Sequence, residues 1–98
     1  MGSREDILRR LEDNKTEIRK FGVKRLGLFG SQARNDTKET SDLDFLVEFD
    51  KKTFDAYMDL KEFLENLFNC KVDLVLADAL KPRLKPIILR EVVYAQGI

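Results

Sequence analysis

A chain of 98 residues supports one domain, residues 1–98, with a modest core that hides about two-thirds of the surface its unfolded form would expose. Lys plus Arg and Asp plus Glu balance at 18 each, which excludes a bulk charge that would hold nucleic acid or an anionic membrane indiscriminately. The absence of histidine excludes a Ser-His-Asp triad, a Cys-His pair and histidine-ligated zinc, and the lone Cys70 excludes an intrachain disulfide and reads as a small buried residue.

From about Arg4, the apolar residues Ile7, Leu8, Leu11, Ile18 and Phe21 recur at helical spacing, with Gly22 as the C-cap of a first helix. Leu26, Leu28 and Phe29 then make a short buried strand. Gly30 permits a tight turn with close backbone approach, and Ser31 caps a brief helix through Ala33 and Arg34. The next strand opens on Asp42-Leu43-Asp44 and continues through Phe45, Val47 and Phe49. Phe54, Tyr57, Leu60, Leu64 and Leu67 mark the longest helix, capped by Asp50 or Thr53, and Val72-Asp73-Leu74-Val75-Leu76 is a third strand.

Pro86 fits the first turn of a terminal helix that carries Ile87, Ile88, Leu89, Val92, Val93 and Tyr94 and stops at Gly97. The expected fold is therefore α/β (α+β), in the order αβαβαβα, with a small mixed three-stranded sheet packed by helices on its apolar face. The terminal helix is apolar around more than one side, which asks for the core and a second partner, and an oligomer could form through it. The neighbouring cations Lys81, Arg83, Lys85 and Arg90 suit a protein interface, with a closed core and solvated flank as the equal alternative.

Chemistry concentrates between Gly30 and Asp73. On an extended strand Asp42 and Asp44 share one face while Leu43, Phe45, Val47 and Phe49 take the other. Two carboxylates that close repel each other unless a cation lies between them, and hard oxygen donors suit Mg²⁺ or Mn²⁺ completed by substrate phosphates. The Gly30-Ser31 turn at a helix start presents free N–H groups to an anion, with Arg34 as an added charge, so a nucleoside triphosphate is the expected ligand. Asp73, an acid among strand aliphatics, is disfavoured by propensity and desolvation and so stands out as the third carboxylate of a two-metal site; a structural ion pair with Lys71 is the plainer alternative. A phosphatase reading of the Asp pair wants a Thr where Phe45 stands, and a calcium loop wants a glycine that Asp42 to Glu48 lacks.

Gly30-Ser31 separated by ten residues from Asp42-Leu43-Asp44, with Asp73 on a later strand, resembles the nucleotidyltransferase superfamily that includes DNA polymerase beta, and most closely its minimal, single-domain members. The resemblance runs from about Val23 to Leu76. It departs at Asn35, where the minimal family commonly has glycine; asparagine tolerates a left-handed backbone. The resemblance implies transfer of a nucleoside monophosphate, usually AMP from ATP, to a protein hydroxyl, with Asp42, Asp44 and Asp73 holding the metal and Gly30, Ser31 and Arg34 the nucleotide. It also implies a partner, a HEPN-domain toxin that the chain neutralises as an antitoxin. The alternative is a binding module that silences its partner by complex formation alone. With no apolar run long enough for a bilayer and no apolar signal-peptide core near Met1, the cytoplasm is the expected compartment.

Overall fold

The N-terminal periodicity yields two helices rather than one, α1 (Arg4–Asp13) and α2 (Lys15–Arg19), in the computed structural model, which describes residues 4–30 and 43–98. The break falls at Asn14, whose side-chain amide donates to the Arg10 carbonyl at 2.8 Å. Asparagine competes for helix backbone in this way, so a boundary there is favoured. The C-cap is Lys20 rather than Gly22, which lies two residues on at φ +85 and closes the turn, its N–H donating to the Arg19 carbonyl at 3.0 Å.

Four strands follow: β1 (Val23–Phe29), β2 (Leu43–Phe49), β3 (Val72–Leu76) and β4 (Val93–Tyr94). They lie in the order β3-β2-β1-β4, with β1 antiparallel to β2 and β4, and β2 parallel to β3. The parallel pair is joined by α3 (Phe54–Phe68). Its N-cap is Thr53 rather than Asp50, since the Thr53 hydroxyl accepts from the Ala56 N–H at 3.0 Å, and Asn69 ends it in the left-handed region. The last turn of α3 holds no basic residue of its own, and Arg10 of α1 supplies one, donating to the Leu67 carbonyl at 3.3 Å.

The fourth strand departs from expectation. The terminal helix, α4 (Lys85–Glu91), starts with Pro86 in its first turn but stops before Val92, which is extended at ψ 137. Val93 instead pairs with Leu28, and Tyr94 with Gly27. Gly27 makes this possible: a Cβ there would stand 2.6 Å from Val92 Cγ2 and 3.1 Å from the Val93 carbonyl oxygen. β-Branched valines favour the extended backbone once a strand is available to pair with.

The core lies between one face of this sheet and the helices. Leu26 and Leu28, Leu43, Phe45 and Val47, and Val72 and Leu74 meet Ile7, Leu11, Ile18, Leu60 and Leu64. Phe45, fully buried, stacks at a tilt on Phe68 with ring centres 5.7 Å apart. Strand β3 is a sheet edge, yet α3 takes hydrogen-bonding groups along it: the Tyr57 hydroxyl donates to the Leu74 carbonyl, and the Val72 N–H donates to the Glu65 carboxylate at 3.1 Å. Among the described residues no helix is long and apolar enough to cross a membrane.

Candidate active site

Strand register decides the geometry of the acids. The β2–β3 pairing sets Asp44 beside Asp73, and the β1–β2 pairing sets Phe29 on the other side of Asp44. Register partners in a parallel pair project from the same face, with strands about 4.8 Å apart. The start of this ladder is pinned by the Leu43 N–H, which donates to the Lys71 carbonyl at 3.2 Å, and by Leu43 and Val72 on the core side. Burial of the Leu43, Phe45 and Val47 face thus forces Asp44 to the opposite one, as the alternation in sequence predicts.

That opposite face is not simply charged. Leu46 shares it with Asp44 and is fully buried, so the acids stand beside an apolar floor, where charges interact more strongly than in open water. Asp73 also differs from expectation: its side chain is exposed rather than desolvated, because β3 is the sheet edge. No ion pair among the described residues includes Asp73, so the structural pairing with Lys71 is not formed.

Gly30 brings the turn to the acids. It follows β1 directly and has φ +80, a conformation that glycine adopts without cost. A Cβ at this position would collide with Oδ2 of Asp44, so the carboxylate occupies the space that a side chain would fill. The structure therefore brings Gly30, Asp44 and Asp73 together at one end of the sheet. Ser31, Arg34 and Asp42, with Asn35, lie outside the described residues.

The donor set suits a hard divalent cation. Asp44 and Asp73 offer carboxylate oxygens from one face of adjacent strands, the chemistry that Mg²⁺ or Mn²⁺ selects, and the glycine turn keeps bulk away from Asp44. Among the described residues, no three His, Cys, Asp or Glu side chains gather closely enough to hold an ion by themselves. What the sequence reading missed is the far side of this face, where Gly27, Val92 and β4 extend the sheet. A lone glycine inside a strand and the Val92-Val93 doublet are the signals that could have found it.

The Nucleotidyltransferase domain family matches residues 6–95 of this chain. Protein adenylyltransferase MntA of Thermococcus cleftensis is 42% identical over 92 residues, which span 92% of this chain and 93% of that protein. A solved structure assigned to the minimal nucleotidyltransferases superposes with a TM-score of 0.81 at 36% identity, covering 94% of this chain and 95% of its own. A Shewanella oneidensis complex, in which an MNT antitoxin is bound to a tri-AMPylated HEPN toxin, matches with a TM-score of 0.65 at 19% identity over 93% of this chain and 73% of its own, a likeness of fold.

Proposed function

This chain belongs to the nucleotidyltransferase family and is an enzyme of that class, and from this premise we propose that it moves AMP from ATP to a hydroxyl of a HEPN-type toxin, which it silences as an antitoxin. The observation that carries the reading is Asp44 beside Asp73, with Gly30 packed against the Asp44 carboxylate. The protein adenylyltransferase activity named for the Thermococcus relative supports the reaction, and the AMPylated toxin of the Shewanella complex supports the acceptor class.

In this reading residues 1–98 form a single domain that acts in the cytoplasm. Asp42, Asp44 and Asp73 hold Mg²⁺ or Mn²⁺, which when bound neutralises charge on the triphosphate. The Gly30-Ser31 backbone N–H groups and Ser31 hydroxyl donate to the β- and γ-phosphates, and Arg34 adds a cation there. Asp73, exposed at the sheet edge, accepts the proton of the acceptor hydroxyl. The acceptor oxygen forms a bond to the α-phosphorus while the bond to the bridging oxygen of the β-phosphate breaks, and pyrophosphate leaves with that electron pair. The apolar floor at Leu46 raises the value of the charge contacts that Asp44 makes.

Intact-mass spectrometry of the HEPN-domain protein from the same genome, incubated with this chain, Mg²⁺ and ATP, tests the proposal. An AMP-sized gain that vanishes with Asp44→Asn is expected; a partner that never gains mass with any nucleoside triphosphate refutes the transfer. Silencing by docking alone is a second reading, favoured by α4, which buries none of its residues. It takes the lead if Asp42→Asn with Asp44→Asn abolishes transfer and leaves the toxin silenced.

A further inference from the structure

We propose that residues 80–90 are the surface on which the acceptor protein docks, and that the acceptor meets them with carboxylates set around an apolar patch. The proposal rests on the transfer reaction above for the identity of the acceptor, but the surface is argued from its own composition. Leu84, Ile87 and Leu89 are 43%, 50% and 43% exposed, and α4 buries none of its residues. A short helix that is apolar on several sides and leaves that surface in water is a surface that another molecule covers.

Charge selects what covers it. Lys81, Arg83, Lys85 and Arg90 are all exposed, and no acid occurs between Leu80 and Arg90. None of the four is in an ion pair among the described residues. Because the whole chain is neutral, the remainder of it is acidic, so an acidic partner is repelled elsewhere and drawn here. A protein fits better than RNA, since the cations alternate with leucine and isoleucine, and the segment has no aromatic ring on which a base could stack.

Position links the surface to the chemistry. Through Val92, α4 leads into β4, which enters the sheet at Val93 beside Leu28, one residue from Phe29, and Phe29 pairs with Asp44. A protein seated on this segment therefore stands at the end of the sheet that carries Asp44 and Asp73.

The test is the double charge reversal Arg83→Glu with Lys85→Glu, alongside Ile87→Ser, against the purified HEPN-domain protein of the same genome. Calorimetric titration at low and high salt gives Kd, transfer assays give KM for the acceptor and kcat, and thermal unfolding checks the fold. The charge reversal should weaken Kd and raise KM by about tenfold or more, most strongly at low salt, with kcat at saturating acceptor, ATP affinity and Tm retained. Ile87→Ser should weaken binding equally at both salts. A Kd within about twofold of the parent for both variants, or a fall in kcat at unchanged KM, overturns the proposal. So does a parent chain that fails to bind the partner, or RNA binding that the charge reversal removes while protein binding persists. Loss of binding in the variants together with no transfer by the parent upholds the docking surface and refutes the adenylyl transfer instead.

Discussion

Gly30→Ala tests whether the turn and the Asp44 carboxylate are one unit. Gly30 sits at φ +80, where a residue with a Cβ is strained by about 1–2 kcal/mol. The new methyl would also overlap Oδ2 of Asp44, and turning that carboxylate away from its rotamer adds about 0.5–1.5 kcal/mol. The sum, about 1.5–3.5 kcal/mol, lowers Tm by roughly 6–28 °C in a domain of this size. Urea unfolding of the parent, Gly30→Ala, Asp44→Ala and the double variant separates the two parts. Backbone strain is present in either background, whereas the collision disappears with the carboxylate, so the double variant should be more stable than additivity by about 0.5–1.5 kcal/mol. Additivity within about 0.3 kcal/mol would refute the contact and leave Gly30 as a turn residue only.

Asp44→Asn should leave the metal-free protein at least as stable as the parent, since it removes one of two neighbouring acids, while abolishing the stabilisation expected in the parent from Mg²⁺ with ATP, about 2.7 kcal/mol at a hundredfold excess over Kd. A large loss of metal-free Tm would instead make Asp44 a structural residue. Gly27→Ala crowds Val92 and the Val93 carbonyl and should cost about 1–3 kcal/mol while keeping the response to Mg²⁺ and ATP, which thermal unfolding with and without ligand reads directly. Phe45→Ala empties the centre of the core and should cost about 3–5 kcal/mol, a large part of a total near 5–15 kcal/mol. A cost below about 1 kcal/mol in urea unfolding would mean the core is not centred on β2.

Legibility followed the range of the forces involved. Helix α3, one of its two candidate caps, Thr53, and strands β1 to β3 were readable because each is written in local periodicity and capping chemistry. The split at Asn14 is also local, but a single polar residue is a weaker signal than the apolar stripe that runs across it. Val93 and Tyr94 carry a helix-compatible stripe, and only contact with Gly27 and Leu28, more than sixty positions earlier, turns them into a strand. The same holds at the site. Alternation placed Asp44 away from the core, the motif spacing singled out Gly30, and an acid among strand aliphatics singled out Asp73, whereas the exposure of Asp73 depends on strand order, and the burial of Leu46 on what covers a second face. Neither of those is encoded in a window of a few residues.

The hydrogen bonds that Tyr57 and Glu65 make along β3 bear on how such a chain can evolve. Among the described residues, groups of one sheet margin are occupied from within the fold and the strand at the opposite margin is only two residues long, so little main chain is offered there for a neighbour to extend. Recognition must then be written mainly in side chains, which single substitutions can rewrite without disturbing the backbone. A duplicated copy could acquire a new partner, and lose the old one, by changes confined to a few exposed positions.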